Sequence, residues 1–473
     1  MIAVPSKSQI MTALRKWRGD RLLARVFKNA GLLLGGRVTT GVLNLGILAI
    51  SAHALGAEQF GLVILVQTYA ATVTGVATFQ SWQAVIRYGA LALEKQDIKA
   101  LHALLRFCTL LDIGGVVIGT IVAWVAVPWV GPLLNWDADV MAAARPYCLV
   151  ILFTVTATPT GLLRLLGRFD LLSIQSVVSP FVRLIGVAIA AWFHASLAAY
   201  IAVWFVGGAV AGIVLVAMGW IEAARRGQLK DFALAPGMWL GAAEHHPGLW
   251  RFAVVSNLHA TVQIVSAQLT TVLVGGLAGP ASAGLFKVAR DVATAITKPA
   301  ELLNNAIYPE LARLASQNTW RPMPRLMVRG GVVASGAGVV LMMLAAVGGP
   351  WFLKASFGPE FVAAQSAMML LLAAATVSIA GFPMDPALYA MGRPEIPLQV
   401  NTIAVLLYVP ALVVLTRVAG PVGAGIAALL SSVVIFAAMA LFTGIHLRRR
   451  IGASSPGPLD TGGPAAGAAK EIP

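Results

Sequence analysis

Apolar runs that are long enough to cross a bilayer recur along the whole chain, and short polar segments separate them. An α-helix rises about 1.5 Å per residue, so about 20 mostly apolar residues span the hydrocarbon core. Runs of this kind begin near residues 29, 61, 107, 141, 171, 197, 251, 282, 327, 361, 396 and 421. The pattern predicts an all-α polytopic membrane protein with about twelve transmembrane helices.

Two of the polar turns occur twice along the chain. The turn LGAEQFG at residues 55–61 is matched by LAGPASAGLF at residues 277–286, whose two glycines are each 223 positions further along. The segment LLRLLGRFD at residues 162–170 is matched by ALYAMGRPE at residues 387–395, and their Gly-Arg pairs are 225 positions apart. Because the offset is nearly constant, we predict two six-helix bundles in the same orientation, a parallel repeat around a central cavity.

The charged segments and turns divide the chain into five predicted regions. The first is basic, leads into an apolar run and lacks a small-residue cleavage site, which favours an uncleaved interfacial helix over a signal peptide. The last is rich in glycine, proline and alanine, which predicts disorder. The regions are a basic cytoplasmic interfacial segment (1–28), an N-terminal six-helix bundle (29–222), a cytoplasmic linker (223–250), a C-terminal six-helix bundle (251–447), and a basic end with a disordered cytoplasmic tail (448–473).

Composition and charge support the membrane assignment. Hydrophobic residues make up 58% of the chain, charged residues 11%, and the mean hydropathy is +0.82, which excludes the class of soluble enzymes. The net charge of +15 is unevenly spread: if spans alternate from a cytoplasmic N-terminus, cytoplasmic segments hold 26 of the 34 lysines and arginines. This positive-inside bias predicts that both termini are cytoplasmic, and it explains the basic charge without nucleic-acid binding.

Five ionisable residues share one face of the apolar stretch 281–309 when it is drawn with 3.6 residues per turn. They are Lys287, Arg290, Asp291, Lys298 and Glu301. A charge near the bilayer centre costs about 2.5–3.5 kcal/mol, so we expect this face to contact protein or water. Lys287 can pair with the acid at i+4, and Lys298 with the acid at i+3. Asp291 and Glu301 are therefore predicted pairing or coupling acids, and the alternative is a packed helix without a ligand.

Two further arginines fall inside predicted spans. Arg37 lies about 12 Å into the first span and shares its face with Thr40 and Asn44, which favours a cavity position over a side chain that extends back to the interface. Arg183 follows Pro180 in the fifth span, where it lines the cavity, forms a salt bridge or binds a carbonyl that the proline leaves exposed.

The predicted substrate-binding residues of this cationic cavity are Arg37, Lys287, Arg290, Arg183 and Lys298. Within the spans, bases outnumber acids, so the cavity is expected to attract an anion. Arginine suits a phosphate because its planar fork donates two parallel charge-assisted hydrogen bonds.

Several other polar residues have simpler interpretations. We predict that Asp112 pairs with a base such as Arg106, and that His245 and His246 in the central linker are solvated and are not metal ligands. Asp385 lies in a proline-broken stretch of the tenth span, and the fourth span is predicted to break at the corresponding place, near Pro159. Such breaks mark either transporter hinges or plain kinks.

The sequence contains no pattern typical of catalysis. Cys108 and Cys148 fall near opposite ends of neighbouring spans, so we predict no disulfide between them. No spacing indicates a metal site or a nucleotide-binding loop, and the predicted outside loops are short. We therefore predict neither an enzyme nor a cofactor.

The turn LGAEQFG, the segments GLLRLLGRFD and LYAMGRPE, and the duplicated plan resemble the polysaccharide flippases of the MOP exporter superfamily. The resemblance implies a V-shaped transporter of the bacterial inner membrane. It implies movement of a polyprenyl-diphosphate-linked oligosaccharide from the cytoplasmic to the periplasmic leaflet, for lipopolysaccharide, capsule or exopolysaccharide synthesis. Membrane lipids, a polysaccharide polymerase and assembly proteins are the implied partners.

Three alternatives remain open from the sequence. A cation-coupled multidrug exporter of the same superfamily would favour acidic residues in its cavity. A flippase for a peptidoglycan lipid precursor differs in headgroup and would be expected to have two more helices. A membrane-embedded glycan polymerase or glycosyltransferase is disfavoured by the short outside loops.

Overall fold

Helices joined by short turns make up nearly all of the described chain. A computed structural model describes residues 21–230, 232, 246–294, 311, 313–314, 317, 319–393 and 395–453, and these residues contain no strand. The helices are α1 (Arg21–Ala77), α2 (Ser81–Glu94), α3 (Ile98–Leu133), α4 (Ala138–Tyr147), α5 (Ala157–Leu165), α6 (Phe169–Trp192), α7 (Leu197–Arg225), α8 (Leu249–Ala278), α9 (280–294), α10 (Met323–Phe357), α11 (Ala364–Gly381), α12 (Met384–Ala390) and α13 (Glu395–Ala453). Short 3₁₀ helices occupy Cys148–Thr154 and Pro359–Ala363.

Two apolar stretches are each long enough to cross a membrane twice. Eight stretches of the described residues are long and apolar enough to span a membrane, and two of them, Gly35–Glu94 and Glu395–Gly452, have 60 and 58 residues. One crossing needs about 20 residues, so each of these two has length for a pair. The backbone leaves the helical conformation at Gly56 in α1 and at Ala419 and Gly420 in α13. The predicted all-α polytopic class is confirmed.

The duplicated turns have duplicated backbone geometry. Gly56 has φ 71° and ψ 175°, and Gly279 has φ 89° and ψ 166°. Gly167 and Gly392 have φ 71° and 75°. Because a side chain disfavours positive φ, glycine occupies these four turns for the same physical reason. The repeat predicted from the sequence offsets is therefore also present in the local structure.

A short ion pair follows each copy of the second turn. Arg168 pairs with Asp170 at 2.9 Å, and Arg393 pairs with Glu395 at 3.3 Å. In each copy the base precedes a helix and the acid lies in its first turn, where a negative charge interacts favourably with the helix dipole.

Breaks interrupt several of the crossings. The predicted break in the tenth crossing is confirmed at residues 382–383, between α11 and α12, and the fourth crossing changes to 3₁₀ geometry before α5 begins. A third break, at residues 78–80 between α1 and α2, was not predicted.

Asp112, on α3, accepts hydrogen bonds from the helices that begin after two of these breaks, α2 and α5. Its carboxylate accepts hydrogen bonds from the Ser81 hydroxyl, the Thr158 hydroxyl (2.7 Å) and the Thr158 N–H (3.0 Å). Ser81 is the first residue of α2, and Thr158 lies in the first turn of α5. The predicted Asp112–Arg106 pair is wrong, because residues six apart project about 120° from one another on a helix. Arg106 instead lies over the Phe232 ring, 5.5 Å from its centroid.

The prediction that the two linker histidines are solvated is wrong for His246, and His245 lies outside the described residues. His246 is 6% exposed, and its Nε2 lies 2.9 Å from the carbonyl oxygen of Ala100 in α3. Its ring contacts Tyr88 edge to face at 5.4 Å. The contacts with Tyr88 of α2 and with the α3 backbone bury the imidazole, which the polar character of the linker did not indicate.

Backbone contacts divide the chain into two compact units. Unit 1 contains residues 1–295, 344–371 and 410–427, and unit 2 contains residues 296–343, 372–409 and 428–473. Unit 1 has a large apolar core around Leu65, Val127 and Ile151, and unit 2 has a smaller one around Leu311, Met323 and Leu388. The division runs through α10 and α13 and does not follow the predicted bundles, whose boundaries stay a prediction. The predicted N-terminal interfacial segment up to residue 20 and the C-terminal tail from residue 454 lie outside the described residues.

Candidate functional site

Arg37 is exposed on a membrane-spanning helix. The preceding residue, Gly36, leaves room for the side chains of Ser173 and Ser176 on α6. On the same α1–α6 contact, the Thr40 hydroxyl donates a 2.9 Å hydrogen bond to the carbonyl oxygen of Ser176. Arg37 and Asn44 lie outside this contact and are exposed. The face predicted to be shared by these residues is therefore divided: Thr40 contacts α6, and Arg37 and Asn44 are exposed.

The predicted pair between Lys287 and Asp291 on α9 is confirmed. Lys287 Nζ lies 3.1 Å from the Asp291 carboxylate, and both side chains are about three-quarters buried, with 25% and 28% exposed. One turn of helix separates the two residues, so the pair forms without help from another element.

Arg290 is held by a neighbouring helix. Its guanidinium donates a 3.2 Å hydrogen bond to the hydroxyl of Thr271, a residue of α8 that is 1% exposed. This contact between α8 and α9 orients the guanidinium. Lys298 and Glu301, the other charged residues predicted on this helix, lie outside the described residues.

Arg183 packs between α6 and α7. Its side chain fits against Gly207 and Gly208. The guanidinium donates a 3.4 Å hydrogen bond to the carbonyl oxygen of Trp204 and lies over the Trp204 indole, 6.0 Å from the ring centroid. This is the carbonyl-bonded alternative from the sequence, although the carbonyl belongs to α7 and not to the segment around Pro180. An anion-binding role for Arg183 stays a prediction.

Arg164 was not among the predicted site residues. Its guanidinium lies over the indole of Trp82, 4.2 Å from the ring centroid. Because Arg164 is near the end of α5, its charge was counted with the cytoplasmic segments. No pattern in the sequence indicated that Arg164 would lie over Trp82, because the helix break at residues 78–80, close to this tryptophan, was not predicted.

The next base along the chain is neutralised. Arg168 forms ion pairs with Asp170 at 2.9 Å and with Glu222 at 2.6 Å, and Glu222 also pairs with Arg226 at 2.9 Å. Hydrogen bonds to the Asp170 and Glu222 carboxylates raise the pKa of Arg168 above its usual value. This network joins the start of α6 to the end of α7, so it is structural.

Unit 2 contains an apolar cavity of about 360 Å³ between α10, the α11–α12 break and α13. Met327, Pro383 and Phe436 are among its lining residues, and none of the predicted charged residues is. Among the residues that the structure describes, no group of histidine, cysteine and acidic side chains could hold a metal ion.

A family model described as "Polysaccharide biosynthesis protein" matches residues 26–315, which is more than half of the chain. The chain belongs to the polysaccharide biosynthesis protein family. The chain is also similar to an individual protein, "Inner membrane protein YghQ" of Escherichia coli strain K12. The two are 30% identical over 352 residues, which cover 74% of this chain and 98% of the relative. The resemblance stated from the sequence motifs is confirmed.

The fold of this chain matches those of solved membrane transporters and flippases. A multidrug resistance MATE family transporter of the MOP superfamily, in an inward-facing conformation, matches with a TM-score of 0.69 at 13% identity, covering 87% of this chain and 96% of the other. The lipid II flippase MurJ matches with a TM-score of 0.60 at 11% identity, covering 87% and 89%. At these identities the likeness establishes the fold, which is that of MOP-superfamily membrane transporters and flippases.

Proposed function

We propose that this family member is a flippase that moves a polyprenyl-diphosphate-linked oligosaccharide from the cytoplasmic to the periplasmic leaflet of the bacterial inner membrane. The family description supports a role in surface polysaccharide synthesis, and the relative named as an inner membrane protein supports the location. The observation that carries the proposal is an exposed arginine, Arg37, on a membrane-spanning helix.

The proposed substrate suits the charges of the described helices. A diphosphate accepts charge-assisted hydrogen bonds from guanidinium forks, which Arg37 and Arg290 present. Lys287 is already paired with Asp291, so we expect it to contribute less. The oligosaccharide requires polar surroundings, and the polyprenyl chain stays in the lipid. Rocking of the two repeats would expose the bound headgroup to each side in turn, as in other transporters built from repeats.

The experiment is a complementation assay in a strain that lacks the gene and accumulates lipid-linked oligosaccharide. The double variant Arg37→Ala, Arg290→Ala is expected to reduce surface glycan at least about tenfold at native expression, because two charge-assisted contacts are lost. Arg225→Ala, at the exposed end of α7, is the matched control and should restore glycan fully. Full restoration by the double variant would show that the diphosphate binds elsewhere.

The fold likeness to a multidrug transporter supports a second candidate, a cation-coupled exporter. Such a protein requires accessible acids for cationic drugs and coupling ions. Two of the acids in the described spans do not meet this requirement, because Asp291 is paired with Lys287 and Asp112 is buried and hydrogen-bonded. Drug susceptibility of the deletion strain separates the two proposals, since only the exporter predicts increased sensitivity with normal surface glycan.

A further inference from the structure

The carboxylate of Glu360, in the second repeat, binds a helix of the first repeat. Its Oε2 accepts a 2.7 Å hydrogen bond from the backbone N–H of Ala57. Ala57 follows Gly56, where the backbone of α1 leaves the helical conformation, and the first N–H groups of a helix have no partner within it. Glu360 therefore caps the second crossing of α1, and its negative charge interacts favourably with the positive end of that helix.

The acid at the same position of the first repeat has a different contact. Asp137 is 223 positions before Glu360, which is the offset of the duplicated turns. Two residues before each acid, Asn135 and Gly358 have positive φ, 56° and 107°. Asp137 caps its own helix, α4, by accepting a 2.8 Å hydrogen bond from the N–H of Val140. Of these two acids, only the one in the second repeat contacts the other repeat.

The two repeats approach each other around these turns in reciprocal pairs within unit 1. A Cβ at Gly276, near the end of α8, would lie 3.0 Å from the carbonyl oxygen of Leu133 in the first repeat. The residue equivalent to Gly276 is His53, and its Nδ1 would lie 3.8 Å from a Cβ at Gly358 in the second repeat. The two approaches occupy equivalent places, and the hydrogen bond of Glu360 strengthens one of them.

Apolar packing surrounds the contact between Glu360 and Ala57. Phe361 packs edge to face on Phe60 of α1, with the ring centroids 5.7 Å apart, and both side chains are fully buried. Apolar contacts have no preferred direction, whereas a hydrogen bond requires a short distance and a defined angle. Spans that alternate from a cytoplasmic N-terminus bring this end of the helices to the periplasmic side. Separation of the two repeats on that side therefore breaks the hydrogen bond of Glu360.

We propose that Glu360 is a latch that holds the two repeats together at their periplasmic ends, and that its hydrogen bond to Ala57 breaks before the transported headgroup leaves on that side. This role rests on the proposed function and adds to it a residue that limits periplasmic opening. Asp137 has no such role, because its carboxylate caps a helix of its own repeat.

The test measures how fast an impermeant maleimide labels Ala283→Cys in the full-length protein in spheroplasts, with Cys108 and Cys148 replaced by alanine. Ala283 is on α9 in the second repeat, and it is buried in the apolar core formed by the first repeat, so separation of the repeats exposes it. Glu360→Ala is expected to raise the labelling rate about three- to tenfold, which corresponds to the loss of one hydrogen bond. Asp137→Ala is the matched control and should leave the rate unchanged.

The control also separates opening from general loss of stability, because both variants remove the cap of one helix. Equal labelling rates in Glu360→Ala and in the parent protein would overturn the proposal. An equal increase in Asp137→Ala would also overturn it, because exposure of the probe would then follow from loss of a cap and not from the contact between the repeats.

A second experiment prevents the contact from opening. Ala57→Cys combined with Glu360→Cys, joined by a short bifunctional thiol reagent, should stop surface glycan synthesis in the deletion strain, and a reductant should restore it. Asp137→Cys combined with Val140→Cys, joined in the same way within one repeat, should keep full function. Full function of the joined Ala57 and Glu360 positions would contradict the latch. If the wild type fails to restore surface glycan, the flippase function itself fails, and the labelling rates still decide whether Glu360 holds the repeats together.

Discussion

The buried carboxylate of Asp112 links three helices of the N-terminal half, α2, α3 and α5. Asp112 is 2% exposed and accepts three hydrogen bonds from Ser81 and Thr158. Buried polar groups cost free energy unless they are paired, and here both the acceptor and its donors are satisfied by the same contacts. Removing the carboxylate would therefore leave several groups without partners.

The prediction at this scale concerns stability. Asp112→Ala is expected to destabilise the protein by about 1–3 kcal/mol for each donor left buried and unpaired, and Asp112→Asn by less, because the amide keeps one acceptor oxygen. Thermal unfolding of the purified protein in detergent measures the effect. Asp139→Ala, at an exposed acid in α4, is the control. Equal melting temperatures for all three variants would show that the Asp112 contacts do not stabilise the fold.

At the scale of elements, two glycines allow α1 and α9 to cross closely within unit 1. A Cβ at Gly61 would overlap the carbonyl oxygen of Pro280, and a Cβ at Gly284 would lie 3.0 Å from the carbonyl oxygen of Ala57. Gly61 corresponds to Gly284 in the repeat, and Ala57 corresponds to Pro280. The two copies of the turn therefore make the same contact with each other in both directions.

Gly61→Ala should disrupt this crossing, because the obstructing atom belongs to a backbone carbonyl that cannot rotate away. We expect a loss of about 1–3 kcal/mol, typical of an overpacked contact, measured as a lower melting temperature. Gly41→Ala is the matched control: a Cβ at Gly41 meets nothing within 4 Å, and alanine favours the helix by about 0.5–1 kcal/mol. A melting temperature of Gly61→Ala at or above that of Gly41→Ala would contradict the close crossing.

At the scale of the whole molecule, the distribution of basic residues predicts the orientation in the membrane. The C-terminal end of α13 carries Arg448, Arg449 and Arg450, and positive loops are retained on the cytoplasmic side. Arg450 also lies over the Trp320 ring at 5.4 Å and donates to the Met391 carbonyl oxygen, so this end is anchored within unit 2.

Topology reporters test the orientation. A fluorescent protein fused after residue 473 should fluoresce and alkaline phosphatase at the same point should be inactive, because the phosphatase folds only outside the cytoplasm. A phosphatase fusion after Lys354, in the last turn of α10, should be active, because spans that alternate from a cytoplasmic N-terminus bring this end of α10 to the outside. The opposite pattern at both points would reverse the predicted orientation.

Much of this architecture follows from the sequence, because its causes are local. Apolar runs of transmembrane length fix the helical class, since a backbone in lipid must satisfy its own hydrogen bonds. Turns that require positive φ select glycine, so Gly56 and Gly279 reveal the repeat. The Lys287–Asp291 pair is predictable because one turn of a single helix brings its members together.

Only the tertiary structure decided which distant polar groups meet. Arg164 and Trp82 are 82 positions apart and come together because α2 packs on α5. Arg183 finds its carbonyl on α7, and His246 is buried under Tyr88. Periodicity along one chain segment determines which face is polar, but the partner of that face depends on how helices from separate segments pack. The sequence by itself therefore determined the class, the duplication and the charge of this protein, and the packing of the helices decided which of those charges meet an acid, a carbonyl oxygen or an aromatic ring.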